Sequence, residues 1–526
     1  MPTDRSQLHP NHDDSDPSND PDRVGRPAAR TIGELRAAGW RSRSVKAELR
    51  SNLLARLGEG RTVLPGVIGY NDTVLPALEN AILAGQDLVF LGERGQGKTR
   101  MARLLVGLLD PWLPIVAGGE LNDDPFAPIS PAARALVAEG ADETPISWLP
   151  RDRRYSEKLA TPDITIADLI GEVDPIRVAE GRYLSDELVI HYGLIPRANR
   201  GIFALNELPD LAERIQVGLL NILEERDVQV RGFTIRLPLD LFVVASANPE
   251  DYTSRGRIIT PLKDRLGSQI RTHYPRTLED EIAIVRQEKV GFPLEEGVPA
   301  VHVPPFIEEI VAELTHLARR SGEISQRSGV SVRVSVANLE VLEAAALKRA
   351  VRLGEPAAAP RISDLAAVVA STAGKIELES AGDESPEDRI VERLITKAVY
   401  ATFNRRISID DLEPLVSAFE DGLTLETGDR VHSAEYVRWA SEVPGLADAI
   451  RRTGVLATAA DGTASAAGPE APAKGTTGRG SARAALRGPA SEAALVASAI
   501  EFLLEGLHLA RRLNKDRLGG AVLYRR

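Results

Sequence analysis

The sequence predicts an α/β core built on a parallel sheet, followed by an all-helical region and a C-terminal helical extension. Between residues 65 and 275, continuous apolar runs such as "DLVFLG", "GIFAL" and "LDLFVVASA" alternate with helical patterns such as "TRMARLLVGLL" and "LAERIQVGLLNILEER". Strands that are apolar on both faces and separated by helices belong to parallel sheets covered on both sides. Beyond Thr277 the strand signals fade, and amphipathic stretches such as "PPFIEEIVAELTHLARR" and "EDRIVERLITKAVYATF" follow one another. At 526 residues the chain is also too long for a single core.

In chain order, residues 1–30 are polar and rich in Pro and Asp, the composition of a disordered tail, and lack the apolar stretch of a secretory signal. Residues 31–64 form a helical segment, with one periodic helix over 31–57, Thr31 as its N-cap and "GEG" as its stop. The α/β domain occupies 65–275, a first helical block 276–354 and a helical extension 355–454. The Ala/Gly/Pro/Ser-rich stretch 455–490 reads as a linker, and 491–526 as a C-terminal helix and tail. No run of about 18 apolar residues predicts a membrane span, so a soluble cytoplasmic protein is expected. The formal charge of −12 disfavours general phosphate-backbone binding, so nucleic acid is an unlikely partner. The absence of cysteine removes disulfides and thiolate metal sites.

The strongest motif is "GERGQGKTR", Gly92, Glu93, Arg94, Gly95, Gln96, Gly97, Lys98, Thr99 and Arg100, which satisfies G-x-x-x-x-G-K-[ST] between an apolar strand at 87–91 and a helix starting at Lys98 or Thr99. Glycines let backbone N–H groups turn inward around phosphate oxygens; Lys98 adds charge to the β/γ-phosphates and Thr99 a hydroxyl for magnesium. Hydrolysis further needs polar groups at strand ends. "GIFALNEL" supplies Asn206 and Glu207, the latter placed as a general base for water, and "LFVVASANP" supplies Asn248, whose amide can hold water or a phosphate oxygen. Each also has a structural alternative: a polar strand exit before Pro209 for the first pair, an Asn-Pro turn for the second.

The segments "GLIPRANRGI" and "LLNILEERDVQVRGFTIRLPLDLFVVASANPED" resemble the magnesium chelatase ATPase subunit and the MoxR-like branch of the AAA+ ATPases, with the likeness running from about residue 65 to 354. The resemblance implies a P-loop AAA+ core with a helical lid over 276–354, ATP and Mg2+ as ligands, a ring, usually a hexamer, and hydrolysis of ATP. It makes residues 92–99 Walker A, Asn206 and Glu207 Walker B with Asn206 beside Thr99 at the metal, and Asn248 sensor 1. "PLKDRLG" makes Arg265 the arginine finger, with Arg255 and Arg257 as alternatives and Leu266 where the family has Phe. "GVSVRVSVANLE" makes Arg333 sensor 2; either Arg is otherwise a solvated surface charge. "VIGYNDTVLPALENAI" puts Val67, Ile68 and Gly69 at the adenine, core packing being the other reading.

The resemblance further implies client movement through insertions at 164–200 and 227–238, in metal insertion or in maturation of a separate partner with a von Willebrand-type metal-binding domain. Two other functions compete. A sigma-54-dependent transcriptional activator shares the flavour of "GLIPRANRGIFALNEL", but this chain has no "GAFTGA" loop. A nucleotide-binding scaffold with little turnover is favoured by Asn206, where an Asp is usual. An Asn carbonyl still accepts hydrogen bonds but lacks the charge, so weaker magnesium affinity is expected, with Asn206→Asp tightening it.

Overall fold

The computed structural model describes residues 25–173, 190–224, 228–230, 233–235, 237–248, 257–291, 296–325, 329–378, 387–456, 489–518 and 521–526. Most of the tail and linker, Arg255, and large parts of both insertions lie outside the described residues. Two compact units are present, Met1–His273 and Tyr274–Arg526.

The first unit is organised by a five-stranded sheet in the order Ser268–Arg271, Leu88–Leu91, Leu241–Ala247, Gly201–Asn206, Tyr155–Leu159. In chain order its strands are β1 (Leu88–Leu91), β4 (Tyr155–Leu159), β7 (Gly201–Asn206), β10 (Leu241–Ala247) and β11 (Ser268–Arg271), and every pairing within it is parallel. Outside it β2 (Trp112–Val116) pairs antiparallel with β3 (Ile146–Pro150), β5 (Gly171–Val173) with β6 (Ile190–Tyr192) and β8 (Val228–Val230) with β9 (Phe233–Ile235). Period-2 alternation divides β1, β7 and β10 between two cores. Leu88, Phe90, Ile202, Ala204, Phe242 and Val244 pack with Leu49, Leu78 and Met101 on one face. Val89, Leu91, Phe203, Leu205 and Ala245 pack with Ile215, Leu219 and Leu262 on the other. All these side chains are at most 9% exposed, which is why the strands read as unbroken apolar runs.

One expectation is corrected in the N-terminal segment. Instead of a single helix over 31–57, α1 (Ile32–Ala37) and α2 (Val45–Gly58) form. Thr31 does cap α1, accepting from the Glu34 N–H at 3.2 Å. The chain then turns through Gly39 at φ 74°, which only Gly adopts without strain, and Ser44 caps a new helix at the Ala47 N–H. On α2, Glu48 makes a bidentate pair with Arg154 at 2.7 and 2.6 Å, with the two side chains 2% and 1% exposed. Arg154 directly precedes β4, and its Nε donates to the carbonyl of Arg200, which directly precedes β7.

The second unit is mainly helical around one core. The helix Pro489–Leu509 runs through it, with Leu495, Ile500, Phe502, Leu503 and Leu507 buried and Phe502 stacked on Phe306 at 4.3 Å. Gly506 lies against the Phe403 ring, where a Cβ would come within 1.9 Å of it. A second correction falls here. After the last helix the chain is no plain tail: Asn514–Leu518 and Ala521–Arg525 pair antiparallel and extend to Leu425–Thr427 as a three-stranded sheet. The alternation that buries Tyr524 at 2% exposure drives this pairing, and the Gly-Gly dipeptide between the two runs was the available signal.

Candidate nucleotide site

Residues 92–97 join β1 to α4 (Lys98–Leu104), the next helix after α3 (Val74–Leu83). Gly95 and Gly97 sit at φ 75° and 76°, a region L side chains rarely adopt, and α4 starts at Gly97 without a side-chain cap. Gly92 is required by close approach: a Cβ there would lie 1.8 Å from Thr272 Oγ1. The Gln96 side chain folds across the loop, accepting from the Glu93 N–H at 3.1 Å and from Thr272 Oγ1 at 2.6 Å. Lys98, 7% exposed, points its ammonium into the loop, donating to the carbonyls of Gly92 and, at 2.8 Å, Glu93. Arg94 is exposed, whereas Glu93 and Arg100 are half-buried. A cavity of about 480 Å³ opens on the β11 side of the loop, bounded by Glu93, Gln96, Lys263, Arg271 and Thr272.

On the other side the ends of β7 and β10 converge. Asn206 Oδ1 lies 3.5 Å from Thr99 Oγ1 and accepts from Ser246 Oγ at 3.1 Å. Its Nδ2 donates to Glu157 Oε1 on β4 at 2.7 Å. Glu157 also pairs with Arg103 at 2.8 Å and accepts from the Tyr155 hydroxyl at 3.1 Å. Burial first, then the Glu157 charge, pushes the Tyr155 phenol well above its usual range, so it remains a donor.

Glu207 follows Asn206 at φ 54°, a left-handed conformation that turns the chain sharply at the strand end. Its N–H donates to Ser246 Oγ at 3.3 Å. Asn248 is 5% exposed, and its Oδ1 is buried without a hydrogen-bond partner among the described residues. It directly follows Ala247, which pairs with Leu91 and whose carbonyl accepts from the Gly92 N–H at 3.1 Å. A buried amide oxygen in this state is one that a ligand or an ordered water can satisfy.

The structure thus brings Lys98, Thr99, Asn206, Glu207 and Asn248 to adjacent tips of β1, β7 and β10. Val67, Ile68 and Gly69, all half-buried, reach the loop through Tyr70, whose hydroxyl lies 2.8 Å from the Gln96 carbonyl and 2.7 Å from that of His273. Burial pushes the Tyr70 phenol up to about 12. Arg265 ends the helix Thr260–Arg265, is a third exposed and pairs with Asp264 at 3.1 Å. The alternative finger Arg257 is exposed. Arg333 belongs to the second unit, exposed at the start of the helix Val332–Leu353, where its N–H donates to Ser331 Oγ. Sequence reasoning missed Glu157, Ser246, Tyr70 and Thr272. Only Ser246 left a trace, as the polar interruption of "VVASA".

Comparison with known proteins places this geometry. A family model described as the Sigma-54 interaction domain matches residues 185–268. The magnesium-chelatase subunit ChlI of Euglena gracilis is 27% identical over 247 residues, 44% of this chain and 64% of that protein. The chain's likeness is to AAA+ ATPases of the magnesium chelatase and MoxR-like branch. The chain is also 24% identical over 203 residues to the uncharacterised YeaC of Bacillus subtilis, 36% of this chain and 59% of that one. It therefore spans less than two thirds of the length of either relative. A solved magnesium chelatase complex of BchI and BchD overlaps with a TM-score of 0.32 at 19% identity, covering 62% of this chain and 97% of that one. Among the described residues, no helix is long and apolar enough to cross a membrane.

Proposed function

We propose that the chain binds ATP with Mg2+ and hydrolyses it, coupling the cycle to remodelling of a partner protein or to metal insertion. One observation carries this reading: Thr99 Oγ1 lies 3.5 Å from Asn206 Oδ1 at the end of β7, and the Asn248 amide oxygen, buried without a partner among the described residues, follows the adjacent strand β10 beside the loop that holds Lys98. The chain's groups divide the work. Lys98 exchanges its loop carbonyls for phosphate oxygens. Glu207 takes the proton of the attacking water, held in aim by its left-handed backbone. Asn248 orients that water. Arg265 from a neighbouring copy in a ring neutralises the charge spread over the transferring phosphoryl group.

The donor set around Thr99 Oγ1 and Asn206 Oδ1 is all oxygen and fits a hard divalent cation. Magnesium, when bound there with nucleotide, offsets phosphate charge. Val67, Ile68 and Gly69 border the adenine. A hexameric ring, a von Willebrand-type partner and a cytoplasmic location belong to the same proposal, supported by the likeness to a magnesium-chelatase subunit.

The match of the Sigma-54 interaction domain model to 185–268 supports a second reading, a transcriptional activator-type ATPase. Both readings predict hydrolysis; pulldown with sigma factor against a von Willebrand-domain protein separates them. The deciding experiment is ATP turnover of wild type and Glu207→Gln at concentrations where light scattering with an ATP analogue shows assembly. The variant is expected to lose at least about 100-fold in turnover and keep nucleotide affinity. An assembled wild type that hydrolyses nothing overturns the enzyme reading and leaves the scaffold.

A further inference from the structure

We propose that Glu157, on the neighbouring strand, supplies the negative charge that the end of β7 lacks at Asn206. The inference rests on the nucleotide and magnesium reading of the site and adds a residue to it. The parallel register sets Glu157 opposite Ala204, and Asn206 is two residues further along β7 on the same face. The 2.7 Å bond from Asn206 Nδ2 to Glu157 Oε1 turns the amide so that its oxygen faces Thr99 and Ser246. One amide therefore joins the carboxylate to the hydroxyl that would meet the metal. On α4, Thr99 and Arg103 are four residues apart and share a face; the first reaches Asn206, the second Glu157.

An Asp at 206 beside Glu157 would set two carboxylates against each other at hydrogen-bond distance. The Asn is therefore the residue that fits, and the charge has moved one strand over. This reverses the outcome expected for Asn206→Asp from the sequence: alone, it lowers stability and does not tighten metal binding.

The test uses the full chain and a fluorescent ADP analogue, measuring affinity in EDTA and in Mn2+, with Mn2+ binding also followed by EPR. The ratio of the two affinities is the metal enhancement. Glu157→Gln is expected to cut it roughly tenfold while leaving affinity in EDTA within about twofold. Glu157→Gln with Asn206→Asp, which swaps the charge back, is expected to restore it. Arg103→Gln separates this from a merely structural ion pair: it frees Glu157 of a competing cation, so the enhancement holds or rises, whereas a structural role predicts the loss seen in Glu157→Gln. Unchanged enhancement in a folded Glu157→Gln protein, or failure of the swap to restore it, overturns the proposal. A wild type that binds no nucleotide overturns the underlying reading instead.

Discussion

Removing the carboxylate of Glu48 is expected to cost the first unit on the order of 4 kcal/mol. Glu48 and Arg154 are 2% and 1% exposed, and their two bonds leave neither group access to water. Glu48→Ala strands a guanidinium in a dry site, a cost of about 3–5 kcal/mol. It also orphans the Asp110 N–H, which donates to Glu48 at 2.6 Å, adding about 1 kcal/mol. Replacing both partners, as Glu48→Leu with Arg154→Met, should recover all but about 2 kcal/mol, because a buried pair exchanged for apolar packing is often neutral. What is not recovered is the Arg154 bond to the Arg200 carbonyl and the bond from the Asp110 N–H to Glu48. Thermal unfolding followed by tryptophan fluorescence reads the first unit, since Trp40, Trp112 and Trp148 lie in it and only Trp439 in the second. At about 2–4 °C per kcal/mol for units of this size, the single variant should melt roughly 10 °C lower. A drop below about 3 °C, or a double variant no better than the single, would refute the reasoning.

Glu207→Gly should raise the melting temperature by a few degrees while abolishing turnover, because Gly relieves the φ of 54° at a cost Glu otherwise bears of about 1 kcal/mol or more; a lower melting temperature would show that the Glu207 side chain stabilises the fold. Gly92→Ala should destabilise by about 1–3 kcal/mol and weaken nucleotide binding by displacing Thr272 and Gln96, and normal binding by isothermal calorimetry would contradict the packing described. In the second unit, Glu281 is fully buried. Burial alone would raise its carboxyl, yet His316 at 3.6 Å, Arg319 at 2.7 Å and Ser335 at 2.7 Å outweigh burial and hold it below the usual range. Its contribution is therefore complete above the ordinary carboxylate value of about 4.3 and is lost as pH falls through the lower folded value. The melting difference between wild type and Glu281→Gln should be constant from pH 7 to 5 and shrink in more acid solution; an identical difference throughout would remove Glu281 from the acid response.

The phosphate-type loop was legible because its signal is contiguous: a buried strand, three glycines, Lys98 and Thr99 follow one another in sequence. Asn206, Glu207 and Asn248 were legible as polar ends of apolar runs. Glu157 was not, since "YSEKL" alternates without a strong apolar face and becomes part of the site only through its register with β7. Tyr70 and Thr272 were hidden for a related reason: both reach Gln96, but the Tyr70 hydroxyl meets the carbonyl of His273, next to Thr272, only by folding across 203 residues. The break between α1 and α2 was visible in Gly39 and Ser44, but apolar periodicity on both sides masked it.

The helix Pro489–Leu509 also sets an order of events during synthesis. Phe306, Phe403 and Tyr436 all close against residues of this helix or bond to them, Tyr436 through Glu501 at 2.7 Å. The second unit therefore cannot complete its interior until the ribosome has delivered residue 509, whereas every described strand of the first unit's sheet is available once residue 271 has emerged. The stretch 305–456 then waits with an open apolar face, and chaperone binding during translation is expected to concentrate on it and to end once residues 489–509 have emerged.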